Sequence, residues 1–167
     1  MLIRSLVEDD AAAYWKFRLL ALQSDPVAFG ESAEEHERNP KDRVKQRIGG
    51  KGSENFILGA FVRSKLVGTV GFYRNPQLKR MHKGGIWGMF VAREQRGKGV
   101  GKKLMLKAIA EAKKVPGLKY LQLSVTSDEP RVRKLYLGLG FLPYGMEPEA
   151  IAVDGKYYNE ELMYLKL

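Results

Sequence analysis

Residues 94–103 read EQRGKGVGKK, with glycine at 97, 99 and 101 and cations on both sides. An apolar, β-rich run, IWGMFVA (86–92), leads into this stretch. Behind it Val100, Leu104, Ala108 and Ala112 recur every four residues, with Leu106 and Ile109 beside them. That period predicts a helix over Gly99–Val115, stopped by Pro116-Gly117. A strand that runs into a helix through three side-chain-free positions constrains the fold more than any other segment. The start of a helix offers unpaired N–H groups and the positive end of the helix dipole. Without Cβ atoms, a bulky anion can approach that backbone closely. Arg93, Arg96, Lys98, Lys102 and Lys103 add positive charge. The stretch reads as a phosphate cradle; the plainer alternative is a glycine-rich turn among surface cations.

The common nucleotide patterns do not fit. GxGxxG counted from Gly97 requires glycine at Lys102, and counted from Gly99 it requires glycine at Leu104. A P-loop fails because Lys103 follows Gly101-Lys102 where Ser or Thr is needed, and no glycine lies five residues before Gly101.

The rest of the chain alternates strand and helix signals. LIRSLV (2–7) reads as a strand. Asp9 and Asp10 are candidate N-caps for a helix through residue 24, with Ala13, Phe17, Leu20 and Ala21 on one face and Pro26 beyond its end. A short helix is expected at Lys41–Ile48, between Asn39-Pro40 and Gly49-Gly50; with only Val44 and Ile48 apolar, it should lie on the surface. NFILGAFVR (55–63) and LVGTVGFYR (66–74) suggest a hairpin turning at Ser64-Lys65. A third strand of this group covers Gly84–Ala92. YLQLSVTS (120–127) alternates as a strand, and a helix is expected over 130–139. The chain closes with two strands around Asp154-Gly155. The order β-α-α-β-β-β-α-β-α-β-β indicates an α/β or α+β fold with a mixed sheet, in one domain spanning 1–167.

The 167 residues include no cysteine, which removes disulfides, Cys-based metal sites and an acyl-Cys mechanism. Charges appear too early for a signal peptide, and no apolar run approaches the roughly 20 residues of a membrane span. A cytoplasmic protein without membrane partners is the expectation. The net charge of +10 attracts polyanions or a phosphorylated cofactor. The cations are dispersed and form no recognition motif, so nucleic acid is not the expected partner. Two histidines, His36 and His82, make no convincing metal site.

Arg96-Gly97-Lys98-Gly99-Val100-Gly101 resembles the R/Q-x-x-G-x-G/A signature of the GCN5-related N-acetyltransferase (GNAT) superfamily. KLYLGLGF (134–141) resembles that family's L-Y-x-x-x-G-F segment, and the expected element order is similar over nearly the whole chain. The resemblance implies a mostly antiparallel mixed sheet of about seven strands flanked by about four helices. Two parallel strands, ending near Val91 and Val125, should splay apart around acetyl-CoA. Residues Arg96, Gly97, Lys98, Gly99, Val100, Gly101 and Lys102 would hold the pyrophosphate. Met89, Phe90 and Val91 would pair with the pantetheine arm, and a backbone N–H near Phe90 or Val91 would face the developing oxyanion. Acetyl would pass directly to a primary amine, with no metal, and Tyr136 would protonate the leaving thiolate; its alternative is core packing with Leu135, Leu139 and Phe141.

One departure stands out. Where the family often has Asn, seven residues before the tyrosine, this chain has Glu129, whose ionised carboxylate cannot donate a hydrogen bond. Either the contact is lost, or Ser127 or a backbone group takes it over. Arg131, Arg133 and Lys134 either reach the nucleotide phosphates or form an exposed helix face. On the acceptor side, FGESAEEHE (29–37) supplies Phe29 and Glu31, with Glu34, Glu35 and His36 nearby. Tyr73, Trp87, Tyr157 and Tyr158 are candidate pocket aromatics. The expected acceptor is a small-molecule amine such as an amino acid, a polyamine or an amino-sugar compound. Two alternatives stay open: a peptide or protein amine as acceptor, and a non-catalytic acetyl-CoA-binding sensor or interaction module. Dimers are common in that family, so a homodimer is among the expected assemblies.

Overall fold

The computed structural model describes residues 1–39, 44–45, 48 and 54–167. Its strands are β1 (Leu2–Ser5), β2 (Asn55–Val62), β3 (Lys65–Arg74), β4 (Lys83–Val91), β5 (Tyr120–Thr126), β6 (Leu142–Val153) and β7 (Lys156–Lys166). The helices are α1 (Ala11–Ser24), α2 (Ala33–Arg38), α3 (Val100–Ala112) and α4 (Pro130–Leu137). The strands form one sheet in the order β1-β2-β3-β4-β5-β7-β6. Every neighbouring pair is antiparallel except β4 and β5. Both tight hairpin turns use two residues with positive φ: Arg63-Ser64 (47° and 64°) and Asp154-Gly155 (51° and 74°). That geometry matches the twist of the flanking strands. The first turn lies one residue earlier than the sequence suggests.

Hydrophobic residues on the two faces of the sheet build two cores. One joins Leu58, Ala60, Val67 and Phe72 to Leu104, Met105 and Ala108 of α3. The other joins Ile57, Phe61 and Leu66 to Tyr14, Phe17 and Ala21 of α1. Neighbouring strand residues thus part to opposite faces, as the pleat requires. The buried side of α1 is Ala11, Tyr14, Phe17, Arg18, Ala21 and Leu22, while Leu20 is half exposed and Ala13 exposed. The expected face is therefore right for Phe17 and Ala21 alone. Asp10 occupies the N-cap position without a side-chain cap bond. A short 3₁₀ turn precedes it, and its carboxylate accepts instead from Arg4 (2.5 and 2.8 Å) and from the Val7 N–H (2.8 Å).

The second helix differs from the expectation. α2 is capped by Ser32, whose hydroxyl accepts from the Glu35 N–H at 3.1 Å while the Glu35 carboxylate accepts from the Ser32 N–H at 2.8 Å. Most of the expected 41–48 helix lies outside the described residues. Within it Val44, Lys45 and Ile48 are helical, and Val44 and Ile48 are buried in the α1-side core rather than lying on the surface. β6 is a 12-residue strand from Leu142 to the Asp154-Gly155 turn, and its register slips at Pro143/Gly145 and at Glu147/Ile151. Among the described residues no helix is long and apolar enough to cross a membrane, and no group of His, Asp and Glu could hold a metal ion.

Candidate active site

β4 and β5 pair only through Lys83–Tyr120, Gly84–Leu121 and Gly85–Gln122. Past Gly85 each strand keeps its outer neighbour: β4 stays on β3 as far as Val91, and β5 stays on β7 as far as Thr126. The two strands therefore part, leaving a gap with backbone polar groups on both edges. A bulge accompanies the parting. Thr69 faces Phe90 and Gly71 faces Trp87, so two steps on β3 match three on β4. The extra residue is Gly88, with φ +60°, a conformation that costs a side-chain-bearing residue more than glycine. The Thr69 hydroxyl donates to its carbonyl at 3.2 Å. The bulge also changes which face the strand presents. Ile86 packs on the α3 side, whereas Phe90, four residues on, packs on the α1 side against Phe17 (5.3 Å between ring centres) and Phe29 (6.3 Å).

The gap opens into a cleft of about 590 Å³. One end is the predicted cradle. Gly99, with φ +75°, is the N-cap of α3, and Gly97 has φ +77°. A Cβ at either position would meet nothing within 4 Å. The first hydrogen bond of the helix runs from Lys103 N–H to Gly99 O at 3.1 Å. The N–H groups of Val100, Gly101 and Lys102 precede it and have no acceptor within the helix. Positive charge and open backbone meet here, which is what a phosphate needs.

Of the residues singled out from sequence, Gly97, Gly99, Val100, Gly101 and Lys102 line the cleft, as do Met89, Phe90 and Val91. Arg96, Glu129, Tyr136, Phe29 and Trp87 line it too. Arg96 is already committed: its Nε donates to Val91 O (2.9 Å) and its Nη2 to Asp25 (2.6 Å), tying the cradle to the end of α1. Burial pushes the Asp25 carboxyl upward, but hydrogen bonds from Arg96 and Ser24 outweigh it and hold the group below its ordinary range. Tyr136, on α4, is 5% exposed, with its ring tilted against Phe141 at 5.9 Å. Desolvation raises its pKa, because the phenolate would lose hydration there.

Other candidates, Tyr158 among them, lie off the cleft wall. Arg133 makes a two-pronged pair with Glu161 (2.8 and 3.1 Å), pinning α4 to β7 rather than reaching for phosphate. Ser127 donates its N–H to Asn159 O (2.9 Å) and its hydroxyl to Asp128. Lys98 is exposed and reaches Gln95. Glu31 is turned toward Arg18 and His36. Tyr73 lies across Gly85, at the closed end where β4 and β5 still pair. Tyr157 stands 65% exposed beside the final hairpin turn. The cleft adds residues that no sequence signal marked: Asp25 and Ala28 after α1, Ser124 and Thr126 on β5, Val132 on α4, and Glu160 on β7. They come together only because the sheet splits, and no local pattern announces that. The Thr126 hydroxyl donates to Val27 O at 2.7 Å, closing the segment after α1 over the cleft.

The sequence matches the acetyltransferase (GNAT) family over residues 16–141. No curated protein sequence matches it. Among solved structures, an acetyltransferase of the GNAT family from Streptococcus pneumoniae superposes with a TM-score of 0.84 at 22% identity, over 99% of each chain. A ribosomal-protein-alanine N-acetyltransferase from Brucella melitensis gives 0.86 at 20% identity, over 100% of both chains. A putative acetyltransferase from Salmonella typhimurium, solved with its cofactor acetyl-CoA, gives 0.86 at 20% identity, over 100% of this chain and 94% of that one. At these identities the likeness is one of fold.

Proposed function

The chain belongs to the acetyltransferase (GNAT) family, and from that premise we propose that it transfers the acetyl group of acetyl-CoA directly to a primary amine of a small molecule. The observation that carries this reading is the parting of β4 from β5, with a side-chain-free helix start at one end and Tyr136 in the wall. The residues present fit the cosubstrate. The backbone at Gly97 and Gly99 is open to an anion, Gly101 leaves room for the Met89 side chain, and Lys102 lines the same end. The β4 edge beyond Gly85 has no strand partner on its β5 side, so it can pair with an amide-bearing arm as with an added strand.

Bound there, acetyl-CoA supplies an activated thioester. The N–H groups of Val100, Gly101 and Lys102 hold the pyrophosphate charge. The backbone of Met89, Phe90 and Val91 aligns the pantetheine arm, and an N–H near Phe90 or Val91 donates to the carbonyl oxygen as negative charge develops. Tyr136 remains protonated because burial disfavours its phenolate, and it gives its proton to the departing sulfur. Glu129 and Glu160 are lining carboxylates able to take the amine proton, directly or through water. Glu129 cannot donate the hydrogen bond that an Asn would while it is ionised.

The test is incubation with acetyl-CoA and a panel of amino acids, polyamines and amino sugars. Thiol release and N-acetylated product are followed by mass spectrometry. One product molecule per thiol released, with no acetylated protein, is expected. Tight acetyl-CoA binding without product from any amine would favour the non-catalytic module instead.

A further inference from the structure

The reading as an acetyl-transfer site leaves the acceptor open, and the segment from α1 to α2 narrows it. Arg18 is 9% exposed on α1. Its Nε and Nη2 both donate to one Glu31 oxygen, at 3.2 and 3.1 Å, and its guanidinium lies 4.5 Å over the Phe29 ring. One edge and one face of the group are thereby fixed. The remaining nitrogen, Nη1, is buried and has no hydrogen-bond partner among the described residues. It lies 3.7 Å from where a Cβ on Gly88 would stand. Gly88 is the bulge of β4 and lines the cleft together with Phe29 and Trp87. A buried N–H without an acceptor is unfavourable, so this nitrogen calls for one. Arg18 itself stands behind the cleft wall, and glycine at 88 puts no side chain beside that nitrogen.

We infer that Arg18 binds a carboxylate of the acceptor, so that the preferred substrates are amines carrying a carboxylate close to the reacting nitrogen. This rests on the acetyl-transfer reading of the cleft. The free edge of a guanidinium, Nη1 with the second N–H of Nη2, is a planar pair of donors matched to carboxylate oxygens. Its place is right: Gly88 stands next to Met89–Val91, the backbone that would align the thioester arm, on the side away from the cradle. Phe29 and Glu31 hold the guanidinium in place before the acceptor arrives, so little side-chain freedom is lost on binding. Glu31 offsets the local charge, which makes this recognition by directed hydrogen bonds. The net charge of +10 favours an anionic acceptor and opposes a polycationic one.

The test compares acceptor pairs that differ only in the carboxylate: amino acids, their amides and the corresponding decarboxylated amines. For the intact protein, kcat/KM should favour the carboxylate member by about tenfold or more, the scale of one charge-assisted hydrogen-bond pair. In Arg18→Lys, which keeps a cation for Glu31, and in Arg18→Met, the ratio within each pair should collapse toward one, whatever the absolute rates. Calorimetric titration of amino acids into the CoA-bound protein gives a readout independent of turnover: binding should be measurable and weaken in Arg18→Lys. Thermal melting checks that each variant folds. A wild-type ratio near one, a ratio unchanged in both variants, or no amino-acid binding to the CoA complex would overturn the inference. Loss of acetyl-CoA binding by the intact protein would instead sink the acetyl-transfer reading itself.

Discussion

Replacing Tyr136 with Phe removes one oxygen and keeps the ring. The ring is almost wholly buried against Phe141 and the α3-side core, so its packing survives. Stability should change by no more than about 1 kcal/mol, the scale of one hydrogen bond. For 167 residues that corresponds to a melting shift of about 3 °C. The catalytic effect should be far larger. A positioned general acid contributes roughly 10²–10⁴-fold, or about 3–5 kcal/mol of barrier. The Tyr136→Phe variant should therefore lose most of kcat while its calorimetric affinity for acetyl-CoA stays within about twofold. Burial raises the Tyr136 pKa above the ordinary value of 10.0. The wild-type rate should consequently show no alkaline fall from this group below about pH 10. The assay is thiol release at saturating acetyl-CoA and acceptor, with melting and calorimetry on the same preparations. A kcat equal to wild type, in a folded variant that binds acetyl-CoA, would remove Tyr136 from the chemistry and leave it a packing residue.

Gly99→Ala meets open space but must keep φ near +75°; it should cost about 1 kcal/mol through the backbone and weaken acetyl-CoA binding in calorimetry. Arg133→Ala breaks the tie to Glu161, yet Arg133 is 43% exposed at the side chain; stability should fall by at most about 1 kcal/mol, with acetyl-CoA affinity within about twofold, and a large loss of affinity would return Arg133 to the phosphates. The Asp25 carboxyl is depressed in the folded chain, so its contribution is present above the unfolded value near 4 and is lost as pH falls through the lower folded value. The melting difference between wild type and Asp25→Asn should thus be constant above about pH 5 and vanish in more acid solution.

The features legible in the sequence are those that local chemistry enforces. The glycines before α3, the four-residue period of α3 and the Asp154-Gly155 turn each carry a local cause, and the structure has a helix start at Gly99, a buried Val100-Leu104-Ala108-Ala112 face and a hairpin turn at those places. The bulge at Gly88 carries no such signal, because one extra strand residue is invisible until its partner strand is known. Without it, Ile86 and Phe90 would share a face and the strand would present the wrong edge to the cleft. β6 escaped because Pro143, Gly145 and Pro148 interrupt its alternation, and a paired β7 restores the strand past them. The capping signature Ser32-x-x-Glu35 was readable, but it sits in an acidic run that equally suits a loop. Arg133 and Arg18 show the limit for charged residues. Their partners, Glu161 and Glu31, lie 28 and 13 positions away, and only tertiary structure decides whether such a cation faces ligand or protein.

The most direct test is calorimetric titration with acetyl-CoA at physiological salt, beside ATP and NADH. Micromolar binding of acetyl-CoA, weakened in Gly99→Ala, is expected, with no comparable binding of the other two. Equal binding of all three would reduce the cradle to a generic anion site, and no binding of acetyl-CoA would mean that the gap between β4 and β5 serves another purpose.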